Sequence, residues 1–515
     1  MTGAGSSTAR DLAAALDEAC AAGGMTCGAL GLVSNGRVIA LTAAGSLSEG
    51  GPEADVSTLF GLGSVVELLT AIAVARSETI QHSAWVSDYV PSARLGETTV
   101  EQLLSHSSAL PHASRDQGPM ARDALERFVA EDVATHRRRT VPGEIAWATP
   151  TGYAVLGRAI EVLGSAPFDD LLRELVLDPA GMTSAASPSE VDPSRVAWPN
   201  ESYGQSRGVL ADDRSGHPAG FLFASLQDLV GLVTGILEGF LIDASTWERM
   251  AGQHMSRHLS HVSYPLVLAA TGYGLGCQTG EWNGQRVVRR PGRQASYHCT
   301  VELLPESSSA VILLTNGADD RTFNGILNRC YEALCGRGRL GPEPALHPFD
   351  SELATTWEGT YVHPGRGTIV KVSQRDGDLI YSEGGAEAPL YGVGQGRALV
   401  PMDYGSAPLW FPGSDGPAPY LMMWGDPYFR ETPAPWSADD PKMFSGLYRD
   451  SFFPREATDL DVGFDDGSWS VTRGGERSPA VQLGDRKLAT AFGMAHFSDD
   501  GASVQVGDAI VYRRS

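Results

Sequence analysis

A chain of 515 residues is too long for one ordinary hydrophobic core, so two or three domains are expected. Apolar content of 42% with 20% charged residues is that of a globular protein in water. The 62 acidic and 39 basic side chains leave a formal charge of −23, which argues against nucleic acid and anionic membrane surfaces as partners. The first ten residues have no basic segment leading into an apolar run, and no stretch approaches the roughly 20 apolar residues of a membrane span. Six cysteines (Cys20, Cys27, Cys277, Cys299, Cys330 and Cys335) are scattered without CxxC spacing. That pattern favours reduced thiols and a cytoplasmic location over a disulfide framework or a zinc site.

In chain order, residues 9–22 read as an amphipathic helix. Apolar runs at 29–33 and 38–41 flank Asn35-Gly36, a hairpin signal. Residues 60–71, FGLGSVVELLTA, read as a loop turning into a helix, with Ser64 near its first turn. Unpaired N–H groups and the helix dipole make that position suited to a nucleophile or to an N-cap. Later landmarks are TVEQLLSHSSALP at 99–111, PGE at 142–144, TGYAVLG at 151–157, DPAGM at 178–182 and PAGFLFASLQDL at 218–229. YGLG at 273–276 and the apolar run 310–316 read as strands, and 322–334 as a closing helix. After a Gly/Pro-rich linker at 336–348 come short alternating runs with Gly and Asp turns. Two of these open alike, Trp357-Glu358-Gly359-Thr360-Tyr361 and Phe444-Ser445-Gly446-Leu447-Tyr448, which points to two small barrels of one type, or to one larger β-domain.

This string of landmarks resembles the serine β-lactamase and DD-peptidase superfamily, and the three-part layout resembles its bacterial D-aminopeptidase branch. The resemblance implies an α+β fold: a β-lactamase-like domain, an antiparallel sheet flanked by helices, over residues 1–340. A lipocalin-like β-barrel over 341–436 and a second β-barrel over 437–515 would follow. His106, within TVEQLLSHSSALP, is expected to be a packed structural residue.

The family's signature groups look rebuilt. Its Ser-x-x-Lys lysine falls at Glu67, one turn from Ser64 and on the same helix face. Its Tyr-x-Asn falls at Ala148-Thr149-Pro150, where Thr149 alone keeps a side-chain polar group and Trp147 fills space. Its Lys-Thr-Gly or His-x-Gly falls at Arg290-Pro291-Gly292, with Arg289 as the neighbouring register. Glu67 reads either as an acid/base raised by desolvation or as a solvated or salt-bridged helix residue. Arg290 reads as a site for a substrate carboxylate, as a partner of Glu67, or as part of a surface cluster. Pro291 removes a backbone donor from that strand.

The expected catalytic residues are therefore Ser64 and Glu67, with Arg290, Thr149, Trp147 and Gly292 toward a small-molecule substrate, an anionic one if Arg290 orients it. The expected function is an enzyme with a rebuilt site working by non-covalent acid–base chemistry (cyclisation, elimination or isomerisation) or by Ser64-dependent acyl transfer or hydrolysis, and not by ordinary β-lactam or D-peptide hydrolysis. The alternative is a catalytically inactive relative that binds a ligand or partner in the old cleft. No cofactor or metal is expected. His254, His258 and His261 read as a polar loop or exposed helix end, and Gly392-Val393-Gly394-Gln395-Gly396 as a turn.

Overall fold

The computed structural model describes residues 3–113, 118–199, 212–256, 269–339, 346–347, 351–394, 397–402, 405–412, 416–432, 441–450, 459–473, 475–484 and 486–515. Its first sheet has eight antiparallel strands in the order Arg37–Gly45, Cys27–Ser34, Ser309–Thr315, Tyr297–Leu304, Gln285–Gln294, Gln278–Trp282, Ala269–Tyr273 and Met255–Ser256. The hairpin turns at Asn35-Gly36, both in left-handed backbone (φ 50° and 70°), as that dipeptide predicts.

Strand alternation feeds two cores. Leu30, Leu32, Val311 and Leu313 pack on one face against the helices Gly3–Ala21 and Asp320–Cys335, through Leu12, Leu16, Phe323 and Leu327. Ala29, Val33, Ile312, Leu314 and Val301 face the other way, onto the helices Val65–Arg76, Pro150–Gly164 and Leu226–Leu237. Covered on both faces, the strands Cys27–Ser34 and Ser309–Thr315 are apolar at nearly every position and not alternating. The helix Val65–Arg76 is buried from Val65 to Val74, so its chemistry is presented at its N-terminal end.

A nine-stranded antiparallel sheet, nearly closed, occupies Gly359–Glu431, and a closed eight-stranded barrel occupies Gly446–Arg514. The paired openings have one physical basis. The Tyr361 hydroxyl donates to the Trp357 carbonyl at 2.8 Å, and the Tyr448 hydroxyl to the Phe444 carbonyl at 2.8 Å, with all four aromatics buried in their barrel cores. Val362, Leu483, Ala489 and Met494 form a small core between the barrels. All six cysteines are free thiols. No helix among the described residues is long and apolar enough to cross a membrane. His258, His261, Gln395 and Gly396 lie outside the described residues; His254 bonds the Arg249 carbonyl oxygen at 2.6 Å and faces Glu101 at 3.1 Å.

Candidate functional site

Ser64 is the residue immediately before the helix Val65–Arg76, and its side chain does not cap that helix. The turn that delivers it is fixed by two glycines. Gly63 has φ +51°, and a Cβ there would sit 2.5–2.7 Å from the Arg293 backbone. At Gly292 a Cβ would overlap the Leu62 carbonyl oxygen, so the strand Gln285–Gln294 and the Ser64 turn touch backbone to backbone.

Glu67 is buried (2% exposed) and faces across to that strand. Its carboxylate accepts from the Arg290 guanidinium and lies 2.9 Å from His106 Nε2. Arg290 Nε also donates to the Ser64 carbonyl at 2.8 Å, and its Nη1 lies 3.3 Å from His106 Nε2. Burial lowers the guanidinium from its ordinary value to about 9, which leaves it cationic at neutral pH beside the Glu67 carboxylate. His106 is itself held in left-handed backbone (φ 56°), its ring 5.1 Å from those of Tyr153 and Tyr273. Of the readings the sequence left open, Glu67 and Arg290 therefore take the mutual ion pair. Arg289 lies on the opposite side of the strand, donating to Gln278 at 3.0 Å. Pro291 is accommodated because its half of the strand pairs only with Tyr297–Leu304; the pairing with Gln278–Trp282 stops at Arg289.

A cavity of about 290 Å³ opens beside Ser64. Its wall includes His112, Phe128, Pro150, Asp213, Phe221 and Arg293. Ser64 is the one expected catalytic or binding residue on this wall; Glu67, Arg290, Gly292, Thr149 and Trp147 lie behind it or beyond it. Thr149 is buried immediately before the helix Pro150–Gly164, with Pro150 at the first helical position where its missing N–H is harmless. Trp147 turns toward the first barrel and packs with Ile145, Tyr420, Met422 and Phe429. His112, on the wall, stands in the field of the first barrel's His363, Arg366 and Asp426; desolvation by the surrounding protein pushes its imidazole below the usual range, with Asp426 opposing. Asp213 accepts from the Ser215 hydroxyl at 2.6 Å and backbone N–H at 3.0 Å. These wall residues come from segments far apart in the chain; Pro150 and Phe221 fall within sequence landmarks, but nothing in the spacing marked them as lining one cavity.

Comparison with known proteins agrees with this architecture. Residues 6–329 match the Beta-lactamase family model, so the chain belongs to that family. It is 27% identical over 359 residues to "Penicillin-binding protein 4" of Amycolatopsis lactamdurans, covering 63% of this chain and 90% of that protein. Among solved structures, that of SurE superposes with a TM-score of 0.67 at 22% identity, over 83% of this chain and all of SurE. D-amino acid amidase from Ochrobactrum anthropi SV3 superposes at 0.56 with 18% identity, over 64% of this chain and 99% of the amidase. At these identities the structural matches speak for the fold.

Proposed function

We propose that this β-lactamase-family protein binds a small molecule in the cavity beside Ser64 and does not run the family's proton relay. One observation carries the reading: the carboxylate one helical turn beyond Ser64 is buried in an ion pair with Arg290 and His106, away from the cavity wall. A base must reach the proton it removes, within about 2.6–3.2 Å or through one water. The same pairing counts against the acid–base chemistry expected of Glu67. Neighbours named for penicillin binding and for D-amino acid amide chemistry supply the first ligands to try.

A second reading, acyl transfer through Ser64, draws on a different observation: the serine faces the cavity with its hydroxyl not used as a helix cap. Intact-mass spectrometry after incubation with a fluorophosphonate, a penicillin and an activated ester separates the two, with Ser64→Ala as control. Binding without any adduct is the expected result. A serine-dependent adduct would replace the binding reading with acyl transfer. No binding and no adduct would remove both.

A further inference from the structure

Phe221 has φ +57°, a left-handed backbone conformation that a bulky side chain rarely adopts. The surrounding chain holds it there. Its N–H donates to the Gln294 side-chain carbonyl at 2.9 Å, and the next residue's carbonyl accepts from Leu62 N–H at 2.9 Å. Position 216 is glycine, where a side chain would begin only 2.7 Å from the Phe221 ring. The ring lies 6.3 Å, centroid to centroid, from that of His217.

Two cavities meet at this residue. The Ser64 cavity of about 290 Å³ lies on one side. On the other lies a cavity of about 30 Å³ lined by Phe168, Asp169, Leu172 and His217, and Gly220 and Phe221 belong to both walls. Glycine at 221 would adopt this backbone without left-handed strain, so the strained aromatic is explained by what its ring does.

We propose that Phe221 is the specificity-determining residue of the cleft: its ring is the partition that sets how long a ligand the Ser64 cavity accepts. The ligand it selects ends in a compact apolar group that stops at the ring. This rests on the small-molecule-binding reading above, and the test separates the two.

Phe221→Gly and Phe221→Ala are compared with the parent by calorimetric titration with N-acyl-D-alanines from acetyl to octanoyl. In the parent, affinity should stop rising at a short acyl chain. In both variants it should continue to rise, by about fourfold per added methylene. A cut-off at the same chain length in all three proteins would overturn the partition. Should no member bind to any of them, the binding reading fails, and crystal structures of the variants decide the partition alone. One continuous cavity supports it; two separate cavities refute it. Phe221→Gly should also be the more stable variant, since alanine keeps the left-handed strain that glycine removes; the reverse order would show that the backbone is not what holds the ring.

Discussion

At the scale of single residues, the cleft is governed by charges that have found partners inside the protein. Glu67 and Arg290 are both almost fully buried, so removing either leaves an uncompensated charge. Glu67→Gln and Arg290→Met should each lower the unfolding free energy by about 3–5 kcal/mol, and the double variant should recover much of that loss. Urea denaturation of the four proteins measures this, and additive losses would mean that the two groups do not form one unit. His217 behaves differently. Burial pushes its imidazole down, but Asp169 and Asp212, each at 2.8 Å, more than reverse this and raise it to about 9. A base whose folded value exceeds its unfolded value near 6.5 stabilises fully below that pH and ceases to do so as pH rises through about 9. Stability should therefore fall by up to about 3 kcal/mol between pH ~6.5 and ~9, and His217→Gln should flatten that slope in denaturation at several pH values.

At the scale of elements, the Ser64 turn depends on a contact between backbones. A methyl group at Gly63 meets the Arg293 backbone and must also adopt φ +51°, and one at Gly292 meets the Leu62 carbonyl. Gly63→Ala should cost about 1–2 kcal/mol from the left-handed backbone alone, with the clash adding to it. Thermal unfolding reads the loss, and a crystal structure should show the serine turn displaced from the strand Gln285–Gln294. By contrast Thr99, whose side chain and Gln102 form a complete capping box on the helix Val100–Leu104, should cost about 1 kcal/mol on replacement by alanine, without moving Ser64.

At the scale of the molecule, Arg139 ties three bodies together. From the β-lactamase-like domain its guanidinium reaches Glu431 of the first barrel at 2.9 Å, and His496 at 3.0 Å and Asp508 of the second. Gln505 and the Asp508 carbonyl reinforce the joint through the Thr135 carbonyl and the Arg137 N–H. Arg139→Met should leave Asp508 without its guanidinium partner, while Glu431 keeps Lys487 at 3.2 Å, and should loosen this joint, seen as faster tryptic cleavage at Arg137 and Arg138 with each sheet still folded. Unchanged cleavage would show that apolar packing, such as Trp147 on Phe429, holds the domains without it. His496 adds an acid limit. Burial lowers its imidazole to about 4, so the stability it contributes is present above about 6.5 and is lost as pH falls through 4.

What the sequence determined by itself was local and periodic. The apolar runs, the Asn35-Gly36 turn, the Ser64 helix and the paired Trp357 and Phe444 openings each encode their structure within a few residues, and the spacing of the landmarks identified the family fold. The sequence also singled out Glu67 and Arg290 but left open whether they face a ligand or each other. That choice belongs to tertiary structure, because it turns on whether water reaches the inner face of the strand Gln285–Gln294, and burial there makes pairing the lower-energy arrangement. Which residues meet in the cavity wall was likewise beyond sequence reading. His112, Asp213, Phe221 and Arg293 are brought together by chain segments up to 181 residues apart (112 to 293). The strained Phe221 turn looks like any glycine-rich loop until its φ angle and two neighbouring cavities are seen together.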